Sequence, residues 1–139
     1  MFNITQLPGR QVTDMRELDY PFDSELLRKK RIKLRKALLA DENARFVETK
    51  IAILGGSTTS EIKNMIELFL LNYGIKAEFY ESEYNKYYED GMFDNPELVE
   101  FKPDIIYIHT SNRNISNWPA VSDKAGDVDT LLKSEADKF

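Results

Sequence analysis

Cysteine is absent from the 139 residues and histidine occurs once, at position 109. The first absence excludes disulfides, thiolate nucleophiles, zinc-thiolate sites and iron-sulfur clusters, and the second excludes any multi-histidine metal site. No metal ligand set is expected in this chain. Long apolar runs are missing too. The longest, Ile66 to Leu71, is interrupted by Glu67 and falls far short of the roughly 20 residues a membrane span needs. Residues 1 to 22 carry Pro8, Gly9, Pro21 and several charges, so they offer no apolar core for a signal peptide. A cytoplasmic location without membrane association is the expectation.

What is present fits one ordinary globular domain: 42% apolar and 31% charged residues, with a net charge of -5. A chain of this size buries about two thirds of its unfolded surface and needs no covalent staple. Charge is divided unevenly. Residues 1 to 50 hold 11 basic and 8 acidic side chains, whereas residues 51 to 139 hold 8 basic and 16 acidic ones. The acidic larger part argues against nucleic acid as a partner.

Apolar periodicity alternates between two types along the chain. Asp23 or Ser24 can cap a helix running to about Ala40, with Leu26, Leu27, Leu34 and Leu38 as its stripe. Lys50 to Leu54 (KIAIL) is a short β-branched run stopped by Gly55 and Gly56, as a buried strand would be. Thr58 and Glu61 have capping-box spacing, and Ile62, Met65, Ile66, Phe69, Leu70 and Tyr73 repeat at helical spacing until Gly74. Ile75 to Tyr80 and Asp104 to His109 read as second and third strands, with a short helical stretch around Pro96 to Phe101 before the third. Asp127 can cap a last helix with Val128, Leu131, Leu132 and Phe139 on one side, and its ending reads as cut. Strands separated by helices imply crossovers and a parallel sheet, so the expected fold is α/β, a three-layer sandwich. Its N-terminal helical extension covers residues 1–45, and the α/β domain covers 46–139.

Two loops can carry chemistry. In Gly55-Gly56-Ser57-Thr58-Thr59 a strand turns sharply into a helix, placing Ser57 at a helix N-terminus, where free N–H groups favour an anion. The same residues also make an unreactive turn and cap. His109-Thr110-Ser111-Asn112-Arg113-Asn114 follows the third strand, and if the strands are neighbours Asn112 can donate to the same ligand. Here His109 reads as a structural strand-end residue or a base.

The pattern KIAILGGSTTSEI, a second strand, then FKPDIIYIHTSNRN resembles the flavodoxin-like SGNH hydrolases. More closely, it resembles the N-terminal domain of FkbH-like proteins of haloacid dehalogenase subfamily IIIC. The resemblance implies Ser57 as nucleophile, in the place of the family's Gly-Asp-Ser serine, and Asn112 as oxyanion donor, in its Gly-x-Asn-Asp block. Gly55, Gly56, Thr58, Thr59, Ser111 and Arg113 would line the ligand. Gly56, Thr110 and Arg113 stand where the family has aspartate, glycine and aspartate. No Asp-x-x-His block is present, since residues 123 to 139 contain no histidine. A serine without a base is a weak nucleophile. The resemblance therefore implies a bacterial biosynthetic protein whose domain here binds or positions a substrate or an acyl or glyceryl carrier. Magnesium is expected only for a haloacid-dehalogenase-like domain absent from this chain. Two alternatives stay open: a serine esterase or acyltransferase whose base comes from downstream sequence, and an interaction domain with no small-molecule site.

Arg28 to Lys36 holds seven basic residues in nine. This is a solvated helix face or a dock for an acidic carrier protein or the downstream domain, with Arg28, Lys29, Arg31 and Arg35 as contacts. Residues 78 to 97 mix aromatic and acidic side chains, as a core strand with a wet acidic rim would.

Overall fold

The computed structural model describes residues 15–93 and 95–138. The irregular opening expected for residues 1–14, and Phe139 of the last apolar stripe, lie outside the described residues. Three parallel strands, β1 (Val47–Gly55), β2 (Ile75–Glu81) and β3 (Ile105–His109), form one sheet in the order β2-β1-β3. Ile51 lies opposite Phe79 on one side and Ile105 on the other. The central strand is buried on both faces, from Ile51 through Leu54. That is the environment in which a continuous β-branched and apolar run, rather than an alternating one, is stable.

Helices cover both faces, giving the α/β three-layer arrangement. Helix α2 (Ser60–Asn72) lies on the face carrying Phe79 and Glu81 of β2, and ends where Gly74 takes a left-handed φ of 76°. On the opposite face, Ala52 and Leu54 cluster with Tyr80, Tyr87 of α3 (Tyr87–Met92) and Leu98 of α4 (Pro96–Phe101). Helix α3 is only six residues long, inside the aromatic and acidic tract, too short to show a period in sequence. Helix α4 matches its expected bounds. Pro96 sits in its first turn, and the Asn95 side chain accepts from Glu97 N–H at 2.9 Å and Leu98 N–H at 3.2 Å.

Helix α1 (Ser24–Leu39) begins at the expected cap, where Asp23 Oδ1 accepts from the Leu26 N–H at 2.9 Å. Its Leu27, Leu34 and Leu38 share one buried cluster with Leu68 and Leu71 of α2. The N-terminal extension is therefore joined to the α/β domain through α2. Across the same joint Arg31 pairs with Glu61, and Arg35 pairs with Glu67 at 2.8 Å. The Arg31 hydrogen bond holds the Glu61 carboxyl below its ordinary pKa.

Two expected caps differ. Thr58 does not cap α2: Thr59 occupies the N-cap position without capping, because its hydroxyl donates to Glu81 at 2.9 Å, while Glu61 is taken by Arg31. The last helix, α5 (Ala125–Ala136), starts before Asp127, with Lys124 at the N-cap and no side-chain cap. Of its apolar stripe, Val128 and Leu131 are half-buried and Leu132 is exposed. The third strand starts at Ile105, one residue later than expected. Asp104 instead accepts from the Lys50 N–H at 2.8 Å and the Thr49 hydroxyl at 3.1 Å, tying the strand entrance to β1.

Helix α5 is fixed by one buried carboxylate. Glu135 accepts from the Ser116 N–H at 3.1 Å, from Asn117 Nδ2 at 2.6 Å and from Lys138. These bonds, Lys138 foremost, hold its pKa down to about 2 against the opposing effect of burial. A carboxyl with a depressed native pKa contributes stability that is complete above its unfolded pKa and is lost as pH falls toward the native one. Amide exchange in α5 and at Ser116 should therefore accelerate between about pH 4.5 and about pH 2. Glu135→Gln should bring the faster exchange to neutral pH and flatten that pH dependence. An unaltered exchange profile in the variant would remove Glu135 from this role.

Candidate functional site

In a parallel sheet the carboxyl ends of the strands form one rim, and a crevice opens where the strand order reverses. Here the order reverses at β1, with β2 on one side and β3 on the other, so the reversal lies between β1 and β3. Gly55 ends β1 opposite His109 at the end of β3, and the Gly56 N–H donates to the His109 carbonyl at 2.8 Å. The Gly55-Gly56-Ser57 turn and the His109 to Asn114 loop therefore share this rim.

The rim is tied together by side-chain amides and hydroxyls. Asn114 Nδ2 donates to the Gly56 carbonyl at 2.9 Å and to Asn85 Oδ1 at 3.1 Å, while Asn114 Oδ1 accepts from the Ser111 N–H at 2.8 Å. Ser82, just past β2, accepts from the Gly55 N–H at 2.9 Å. The loops following all three strands thus meet at the two glycines. Both positions require glycine through contact: a Cβ on Gly56 would lie 2.5 Å from Asn114 Cγ, and one on Gly55 would lie 2.8 Å from the Ser57 carbonyl oxygen.

Ser57 is half-buried immediately after this clamp, and Thr58 is exposed. Asn112 is exposed and opens a 3-10 turn, Asn112–Asn114, whose capping box joins Ser111 and Asn114. Ser111 Oγ accepts from the Arg113 N–H at 3.3 Å, and the Arg113 side chain is exposed. His109 is half-buried with its Nδ1 3.3 Å from the Tyr107 hydroxyl. Among the described residues no hydrogen bond joins Ser57 to His109 or to Asn112, so the rim holds a hydroxyl without a contacting base. Thr59 is buried and directed away, toward Glu81, which Lys63 also engages.

Asn114, Asn85, Ser82 and Glu81 are the residues that sequence reasoning passed over. Asn114 carries a signal only in retrospect, as the last residue of a Ser-x-x-Asn capping box. Glu81 ends β2 and Ser82 and Asn85 follow it, and their partner positions are 22 to 29 residues away in sequence.

The basic helix divides into two groups. Arg31 and Arg35 are engaged by α2, and Lys29 lies 3.9 Å from Glu25. Arg28, Lys33 and Lys36 form no ion pair among the described residues. On the far face of the sheet, a cavity of about 640 Å³ is lined by Tyr80, Glu83, Asp90, Phe93 and Glu97 among others. Asn95 Nδ2 donates there to the Tyr80 hydroxyl at 3.1 Å and to Asp90 Oδ1 at 2.8 Å. Burial, and then the Asp90 charge, raise the Tyr80 phenol above its ordinary pKa. Among the described residues no three acidic or histidine side chains gather to hold a metal ion, and no helix is long and apolar enough to cross a membrane. The chain matches no protein-family model, no curated protein and no solved structure.

Proposed function

We propose that this chain is an SGNH-like α/β domain from the N-terminal part of an FkbH-like biosynthetic protein. Its role is to bind or position a small anionic substrate, or the group on a carrier, without hydrolysing esters itself. One observation carries the reading: the Gly55-Gly56-Ser57 turn and the Ser111 to Asn114 loop are clamped together at the β1 and β3 ends, where this class of sheet places ligands. The turn leads directly into α2, whose N-terminal N–H groups and dipole favour a phosphate or carboxylate.

Acyl transfer by Ser57 needs a base about 3 Å away as well as oxyanion donors. Ser57 supplies a nucleophile and Asn112 a donor within the same rim. A base would have to approach from outside the described residues or come from His109 by rotation away from Tyr107. General-base catalysis is worth roughly 10² to 10⁴-fold, so the expected rate on p-nitrophenyl acetate equals that of Ser57→Ala. Well-resolved turnover that both Ser57→Ala and His109→Ala abolish would establish the esterase instead. For the binding role, titrating the ¹⁵N-labelled chain with 3-phosphoglycerate should shift the amides of residues 55–60 and 111–114. Shifts spread evenly over the surface, or none, would count against the rim as the site.

A further inference from the structure

We propose that the cavity between the end of β2, helix α3 and helix α4 binds an aliphatic polyamine. None of its lining residues belongs to the clamp at the rim, so the inference stands apart from the rim's role. Its volume of about 640 Å³ lies within the usual range for a small-molecule site. Its charge is one-sided. Glu83, Glu89, Asp90 and Glu97 line it against a single cation, Lys86, which is bound to Glu83 and is also drawn by Asp90 and Glu89. One ammonium cannot balance four carboxylates, and Glu89 and Glu97 form no ion pair among the described residues.

Asp90 is the decisive member. It is 9% exposed, and its carboxylate takes one hydrogen bond, at Oδ1 from the neutral Asn95 amide at 2.8 Å. Among the described residues no donor meets its Oδ2 and no cation pairs with it. A buried carboxylate is normally paired with a cation, and this one lines a cavity instead. The same field reaches Tyr80, whose phenol is raised by burial first and then by the charges of Asp90, Glu97 and Glu83. Negative potential is therefore gathered on this cavity.

The kind of cation follows from the arrangement. Among the described residues no three carboxylates converge closely enough to hold a metal ion, so the charge is spread around the wall. A ligand that meets it carries several positive charges at intervals. Tyr80 and Phe93, the latter 68% exposed, line the same cavity and offer rings to methylene groups and to an ammonium. An aliphatic polyamine combines both features, whereas a hydrated divalent ion meets only the charge.

The test is titration of the ¹⁵N-labelled full chain with spermidine, putrescine and magnesium chloride at constant ionic strength. Spermidine should shift the amides of Tyr80, Asp90, Asn95 and Glu97 and bind about tenfold tighter than putrescine, which lacks its third ammonium. Magnesium at the same concentration should not displace it. Asp90→Asn keeps the acceptor for Asn95 while removing the charge, and should weaken spermidine by about tenfold. Glu97→Gln, on an exposed side chain, tests the charge without touching a buried group and should weaken it by about threefold. Phe93→Ala should cost about threefold as well. Lys86→Gln removes the resident cation and should tighten spermidine by about threefold, a gain that a loss of folding cannot produce. Displacement by equal magnesium, shifts spread over the whole acidic surface, unchanged affinity in Asp90→Asn and Glu97→Gln, or no tightening in Lys86→Gln would each overturn the proposal.

Discussion

Leu54→Ala should lower the unfolding free energy by about 2 to 5 kcal/mol, whereas Ile108→Ala, at its register partner, should lower it by less than about 1 kcal/mol. The two residues are paired across β1 and β3 and point to the same face of the sheet. Leu54 is 1% exposed and packs with Ala52 and Leu98, while Ile108 is 57% exposed. A cavity forms only where surrounding atoms exist to leave it, so truncation of Leu54 forfeits both transfer energy and contacts. Gly91 of α3 lies close enough that a Cβ there would reach Leu54 Cδ1 at 3.7 Å, so the cavity would also loosen that short helix. Against a typical stability of about 5 to 15 kcal/mol, the Leu54 effect is a large fraction of the total. Urea unfolding followed by circular dichroism measures both. Equal losses at the two positions would mean that β3 is as well covered as β1, contrary to the exposure of Ile105, Ile106 and Ile108.

That contrast marks what was legible in the sequence. KIAIL and DIIYIH both show the β-branched composition of a parallel-sheet strand, and both are strands paired in parallel. Their burial was not legible, because composition reports what a strand is suited to and neighbours decide what it receives. The α2 stripe was readable from its period, but the same period runs through an occupied face at Leu68 and Leu71 and an open one at Ile62 and Ile66. Charges behaved alike. Seven clustered cations read as one solvent-facing surface, yet Arg31 and Arg35 find Glu61 and Glu67, 30 and 32 positions away, because α1 lies along α2. At the rim, the sequence placed the two loops together but not the contact within them. A 3-10 turn exposes Asn112 and brings Asn114 to Gly56, and three polar residues in a row give no period from which to choose between them.

Gly56→Ala should cost about 2 to 4 kcal/mol, and most of that cost should vanish in an Asn114→Ala background. The added methyl would stand 2.5 Å from Asn114 Cγ and Oδ1, too close for any relaxation short of swinging the amide away. Once displaced, Asn114 loses its bonds to the Gly56 carbonyl, to Asn85 Oδ1 and from the Ser111 N–H. A net hydrogen bond is worth about 0.5 to 1.5 kcal/mol, so three set the expected range. Asn114→Ala alone removes the same three bonds without a clash and should cost a similar amount. The double variant should then resemble either single one, giving a coupling energy of about 2 to 4 kcal/mol in a double-mutant cycle. Gly55→Ala supplies the contrast: its methyl would meet the Ser57 carbonyl oxygen at 2.8 Å, a backbone atom that no side-chain substitution at position 114 can move, so Asn114→Ala should not rescue it. Additive losses for Gly56→Ala and Asn114→Ala would separate the β1 turn from the β3 loop and remove the shared rim on which the binding site rests.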